Sequence, residues 1–163
     1  MKPSALRILF VCVGNVCRSP MAEVILRSKL ADRHLLRQVW VGSAGTHPAQ
    51  PGAAPDAPSQ THARRRGYEL SACRARAVQA EDYQQSDWLL CMDWDSRALL
   101  ELDCPASCQP KIRGLAEFLS STAHPVIPDP WQGDTDFDTV LDLIEEACDG
   151  LIRRIEPTLK HHA

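Results

Sequence analysis

Residues 6–12, LRILFVC, form a mostly apolar run of strand type that passes through a glycine-containing turn straight into a segment of helical spacing. In that segment, 19–35 (SPMAEVILRSKLADRHL), Met21, Val24, Ile25 and Leu30 recur as one helical face. Ser19, Pro20 and Glu23 read as its start: a capping hydroxyl, proline at the first helical position and an acid in the first turn. Strand, tight loop and helix thus follow one another with no room for a linker.

The rest of the chain continues the alternation. Val39-Trp40-Val41 reads as a second strand, DWLLCM (87–92) as a third followed by a short helix from Ser96 to Leu102, and Lys111 to Leu115 as a weaker fourth. Between Gly42 and Ser59 the glycines and prolines favour an ordered surface loop over any regular element. From Thr139 to Leu159 the apolar residues follow the pattern of a long amphipathic helix. The expected fold is α/β: one domain over residues 1–163, an open sheet of about four parallel strands with helices on both faces. A chain of 163 residues with 44% apolar composition suits a single core.

Several function classes are disfavoured. The net charge is −3, from 18 basic and 21 acidic residues, and offers no footprint for nucleic acid or anionic lipid. Arg64-Arg65-Arg66 reads as a solvated helix face. No apolar run suits membrane insertion, and MKPSALRILFVCVGN has too short a hydrophobic stretch for a signal peptide, so a cytoplasmic protein is expected. Seven cysteines in a reducing compartment are more often free, metal-bound or catalytic than paired. The terminal KHHA is too short to assign.

Cysteine, five residues, arginine occurs three times: Cys12 to Arg18, Cys91 to Arg97 and Cys148 to Arg154. A loop that binds a phosphate dianion must aim backbone N–H groups inward, carry no carboxylate and end at a helix N-terminus. The Cys91 stretch holds Asp93 and Asp95, and the Cys148 stretch holds Asp149 within the expected long helix, whose N–H groups are committed. Only Val13, Gly14, Asn15, Val16 and Cys17 form an acid-free loop with a strand before and a helix after, with Gly14 supplying a tight backbone path. This makes a phosphate-binding loop after the first strand, where open α/β sheets bind ligands. A cysteine in such a setting is held as a thiolate, so Cys12 is the candidate nucleophile. Arg18 offers a planar fork for two phosphoryl oxygens, and Ser19 can hydrogen-bond the sulfur as it leaves.

VCVGNVCRSPMAE (11–23) closely resembles the active-site signature of the low-molecular-weight protein-tyrosine phosphatases, bacterial type. Ser43 and Gly45 in VGSAGTH, Pro55-Asp56, LSACRARAV (70–78), LLCMD ending at Asp93 and PDPW (128–131) agree in order. The resemblance implies hydrolysis of phosphotyrosine through a phosphocysteine, with no metal and no cofactor. The implied partner is a tyrosine-phosphorylated protein, in bacterial relatives often an autophosphorylating tyrosine kinase. Asn15 and Ser43 are implied supports of the loop. Cys73 stands where relatives often carry a histidine that braces it, so a looser brace is expected.

The mechanism needs an acid, and Asp129, held between Pro128 and Pro130, stands out by composition; the resemblance assigns the same residue. Trp131 is expected as an aromatic wall, with Gln132 beside it. On the opposite wall, His47 and Ala49 replace the large aromatic of some relatives, and His47 reads as a loop residue more readily than as a base. Asp134 and Asp136 in GDTDFD suit helix capping better than calcium. Rival readings are an arsenate reductase of the same fold relaying electrons through Cys104 and Cys108, and a zinc module built from Cys12, Cys17, Cys104 and Cys108. Val16, where phosphoarginine phosphatases carry threonine, leans towards phosphotyrosine. Cys17 is left with two roles, loop packing or a reversible disulfide with Cys12.

Overall fold

A computed structural model describes residues 5–159. Residues 1–4 and the terminal KHHA lie outside them. Four strands, β1 (Leu6–Cys12), β2 (Val39–Gly45), β3 (Trp88–Cys91) and β4 (Ile112–Gly114), form a parallel sheet in the order β2-β1-β3-β4. The helices are α1 (Arg18–Asp32), α2 (Ala57–Arg65), α3 (Ala80–Gln85), α4 (Trp94–Asp103) and α5 (Phe137–Leu159), with single 3-10 turns between some of them.

The central position of β1 follows from its composition, since both of its faces are apolar. Ile8, Phe10 and Cys12 point into a core with Met21 and Ile25 of α1 and Ile144 of α5. Leu9 and Val11 point the other way, against Tyr83 of α3 and Leu100 of α4. All four of these strand residues from Ile8 to Val11 are 0% exposed, which gives the sheet the two covered faces of a parallel α/β domain. The register Cys12↔Gly45 and Val11↔Cys91 brings the carboxyl ends of β1, β2 and β3 to one edge, where the site lies.

Three local expectations are corrected. The segment 42–59 is not one loop: β2 runs on to Gly45, and α2 begins at Ala57, with Asp56 Oδ1 accepting the Ser59 N–H and proline in the first turn. Ser19 does not cap α1; the helix starts at Arg18, Cys17 is its cap residue without a side-chain bond, and Ser19 is turned into the protein. Gly14 is not what bends the phosphate loop, because the left-handed residue is Asn15 (φ 56°). A Cβ on Gly14 would meet Val16 Cγ2 at an ordinary 3.6 Å, so this glycine keeps a wall open. The short helix α3 has no counterpart in the sequence reading.

Arg66, expected on a solvated face, instead ties α2 to α5 through Asp142 (2.6 Å) and Glu145 (3.1 Å). Asp136, of the two acids named for the purpose, caps α5 by accepting the Thr139 N–H at 2.7 Å. Among the described residues no helix is long and apolar enough to cross a membrane.

Helix α5 packs closest at Gly150, where an added Cβ would overlap the Phe118 carbonyl. Replacing a mid-helix glycine by alanine ordinarily stabilises by up to about 1 kcal/mol. Here the backbone contact reverses the sign: Gly150→Ala is expected to lose about 1–3 kcal/mol in urea unfolding, as overpacked cores do.

Candidate active site

The loop from Val13 to Cys17 wraps the sulfur of Cys12 at the end of β1. Because Asn15 takes the left-handed conformation, its N–H turns back onto Cys12 Sγ at 3.2 Å. Ser19 Oγ lies 2.9 Å from the same sulfur. Asparagine tolerates this backbone better than most residues, because its short polar side chain can bond locally.

The Asn15 side chain fixes the direction of these bonds. Its Oδ1 accepts the Arg76 N–H at 3.0 Å, so both amide hydrogens are available elsewhere. One goes to Ser19 Oγ (2.8 Å) and one to Ser43 Oγ (3.0 Å). Ser19, accepting from Asn15, keeps its own hydrogen available for an ionised Cys12 sulfur. Ser43 donates to Glu23 Oε2 at 2.7 Å, where burial pushes the Glu23 carboxyl up while the Ser43 bond opposes it. Every polar atom of the Asn15 amide has a partner, and from the 70–78 segment it is the backbone of Arg76 that supplies one. Cys73 itself is half-buried, its thiol pushed up to about 11 by burial.

Gly45 lets the phosphate loop lie close against the end of β2. A Cβ there would come within 2.7 Å of the Val13 carbonyl, and the Gly45 N–H and C=O bond to Arg76 and Val78. The 76–78 stretch thus lies beside the end of β2.

Arg18, the first residue of α1, has a side chain 5% exposed. Its Nη1 donates to Asp93 Oδ2 at 2.7 Å and to the Ile127 carbonyl at 2.8 Å, which uses both hydrogens of that nitrogen. The remaining donors, on Nε and Nη2, are left for an anion in the cavity that Arg18 lines. Burial works against the Asp93 carboxylate, but the Arg18 charge and the Ser96 bonds outweigh it and hold it below the ordinary 3.8. Asp93 also caps α4 by accepting the Ser96 N–H. Sequence reasoning used Asp93 only to dismiss the Cys91 loop and as part of a motif. Its position at the carboxyl end of β3, beside β1, was the available signal.

Asp129 stands across the mouth. Its Oδ1 accepts the Trp131 N–H at 2.9 Å, and its Oδ2 lies 3.7 Å from Arg18 Nη2. Trp131 packs edge-on against Phe137 and donates its indole N–H to Asp56 Oδ2 at 3.1 Å. The phosphate loop, Asp129, Trp131 and Gln132, with Asp95, Ala98 and Leu99 of α4, enclose a cavity of about 500 Å³. Ser19 and Ser43 stand behind the loop rather than in the wall. His47 does not line the cavity, and its N–H bonds to the Val13 carbonyl; Ala49 borders a neighbouring shallow cleft beside Gly14 and Val16.

Cys17 is buried, and that burial pushes its thiol up to about 12. A thiol so rarely ionised is a slow partner in exchange. Cys104 and Cys108 lie in the core on the opposite face of the sheet from Cys12 and Cys17, so the four thiols of the zinc reading do not converge. The same separation removes the geometry for an electron relay to Cys12.

The Arg18–Asp93 pair yields a test with a definite sign. Asp93→Asn keeps a helix-capping oxygen but loses the charge, and a bond to a charged group contributes about 1.5–3 kcal/mol. Because the folded carboxyl titrates below its ordinary 3.8, wild type is expected to be the more stable at neutral pH. That advantage fades as pH falls through the lowered folded value. Urea unfolding of both proteins from pH 7 to pH 3 checks this.

A sequence model of the family described as low molecular weight phosphotyrosine protein phosphatase matches residues 7–161. The human protein of that name is 33% identical over 152 residues, 90% of this chain and 94% of its own. The crystal structure of YfkJ from Bacillus subtilis superposes with a TM-score of 0.90 at 30% identity, covering 97% of this chain and 99% of that one. A protein tyrosine phosphatase from Entamoeba histolytica gives 0.89 at 32% identity, covering 94% and 99%. With the family's sequence pattern and its fold both carried over nearly the whole length, the chain belongs to the low molecular weight phosphotyrosine protein phosphatase family.

Proposed function

We propose that this chain hydrolyses phosphotyrosine in proteins, with Cys12 as nucleophile, Arg18 as phosphate clamp and Asp129 as general acid and base. The observation that carries the reading is the convergence of Asn15 N–H and Ser19 Oγ on a sulfur at the floor of a cavity whose rim holds Asp129. Both donors stabilise sulfur as an anion, which is the attacking species and the leaving group of the two steps.

In the first step the Cys12 thiolate attacks phosphorus in line with the tyrosine oxygen. The S–P bond forms, the P–O bond breaks, and Asp129 delivers a proton to the departing phenolate. Nε and Nη2 of Arg18 hold two equatorial oxygens, and the open N–H groups of the first turn of α1 face the same charge. In the second step the Asp129 carboxylate takes a proton from water as its oxygen attacks the phosphocysteine. The S–P bond breaks, inorganic phosphate leaves, and the Ser19 hydroxyl receives the thiolate.

The cavity lining favours an aryl phosphate: Trp131 contributes an aromatic side chain and Val16 an apolar one, where the resemblance gives phosphoarginine phosphatases a threonine. All seven cysteines are free, which suits work in a reducing compartment such as the cytosol. Among tyrosine-phosphorylated proteins, an autophosphorylating bacterial tyrosine kinase is the partner we infer from the resemblance.

Steady-state assays on phosphotyrosine, phosphoserine and phosphoarginine test the reading. Cys12→Ser is expected to lower kcat by at least about 10³-fold on phosphotyrosine. Asp129→Ala is expected to lower kcat by about 10²–10⁴-fold on aryl phosphates with poor leaving groups, and far less on p-nitrophenyl phosphate. Undiminished turnover by Cys12→Ser, or equal use of phosphoserine, would sink it.

A further inference from the structure

Helix α4 runs away from the cavity carrying a surface that the chemistry does not use. Two neighbouring rows at i, i+4 and i+8 lie along it: Trp94, Ala98 and Leu102, and beside them Asp95, Leu99 and Asp103. Trp94 is 60% exposed and Leu102 79%. A single exposed apolar residue is ordinary, but these two share one row with Ala98 between them.

The second row joins two hollows. Asp95 and Leu99 line the active-site cavity, while Leu99 and Asp103 line a second cleft of about 240 Å³ that also has walls of Val78, Leu100 and Pro105. Thr46, which borders that cleft, has a buried Oγ1 with no hydrogen-bond partner. The face is acidic as well as apolar. Asp95 and Asp103 flank Leu99 on the surface, and the one basic residue of the helix, Arg97, is taken up by Glu101 at 3.0 Å and Glu117 at 3.7 Å.

We propose that this face of α4 docks the phosphorylated protein itself. A segment of that protein, carrying an apolar side chain next to a lysine or arginine, lies along α4 while its phosphotyrosine occupies the cavity. The apolar group packs on Leu99 and the exposed Leu102 beside it, and the basic group meets Asp103 at the second cleft. The proposal rests on the phosphotyrosine reading above, and its occupant follows from two features: the shared wall at Leu99, which makes the face continuous with the substrate cavity, and the complementary charge. From Asp95 to Asp103 the helix rises about 12 Å, the reach of about four residues of extended chain. The recognised pair therefore stands about four positions from the phosphotyrosine.

The test uses the full chain and compares kcat/KM on p-nitrophenyl phosphate and on three phosphotyrosyl peptides. One peptide has Leu-Lys about four positions before the phosphotyrosine, one has it about four after, and one has Ala-Ala at both places. Wild type is expected to favour one Leu-Lys peptide over the Ala-Ala peptide by about tenfold. Leu102→Lys and Asp103→Lys, neither of which touches the active-site cavity, are expected to abolish that preference and to leave p-nitrophenyl phosphate within about twofold.

Equal use of the three peptides by wild type overturns the proposal, and so does a parallel loss on p-nitrophenyl phosphate. A concentration-dependent dimer that Leu102→Lys abolishes, with no peptide preference, assigns the face to a second copy of the chain and also overturns it. Hydrolysis of p-nitrophenyl phosphate with no activity on any phosphotyrosyl peptide is the separate outcome in which the phosphotyrosine reading itself fails.

Discussion

The site hangs on one backbone conformation, the left-handed turn at Asn15. It turns an N–H onto the Cys12 sulfur, and it places the side-chain amide where Arg76, Ser19 and Ser43 can saturate it. A buried amide left half-satisfied would cost about 1–3 kcal/mol, so the three partners hold the turn as firmly as the turn holds them. The orientation of the Asn15 amide follows from a single fixed point, the Arg76 N–H. Since that donor is backbone, no flip of the amide can reverse it, and the Ser19 hydroxyl keeps its own hydrogen for a thiolate at Cys12.

Around this turn the fold solves a charge problem. An arginine almost wholly removed from water needs a counter-charge, yet a carboxylate placed on its anion-binding edge would compete with substrate. Asp93 takes the Nη1 side, away from Nε, and shares that nitrogen with the Ile127 carbonyl. The guanidinium is thereby paired and aligned while Nε and Nη2 keep their hydrogens for an anion, with Asp129 Oδ2 standing 3.7 Å from Nη2. The same Asp93 carboxylate caps α4, so the helix that borders the cavity and the clamp within it are positioned by one side chain.

What the sequence disclosed was local. The strand, loop and helix of residues 6–32 were legible because an apolar run, an acid-free loop and a helical period sit within one short stretch, and the same is true of Asp129 between its two prolines. Partners brought together by topology were not legible: Asp93 is 75 residues from Arg18, and the Arg76 N–H is 61 from Asn15. Two misreadings were of a different kind. Pro58 reads as loop-forming in a stretch rich in glycine and proline, but next to an Asp56 cap, proline in the first turn starts a helix. Ser19 fits a helix cap in type, but it lies inside the first turn of α1, where its hydroxyl meets the Asn15 amide and the Cys12 sulfur.

The three copies of cysteine, five residues, arginine show why spacing alone has so little content. Cys91 ends β3 inside the second core, where burial pushes its thiol up to about 12. Cys148 lies within α5 with its backbone N–H groups committed to the helix, and burial pushes it up further still. Cys17, only five residues from the proposed nucleophile, is likewise driven up by burial. Among the described residues Cys12 is the one cysteine whose sulfur accepts a backbone N–H. Burial by itself therefore silences thiols in this chain, and reactivity requires donors aimed at the sulfur. Only the loop that leaves the central strand and enters a helix can supply them, because there the backbone N–H groups are not yet spent on either element.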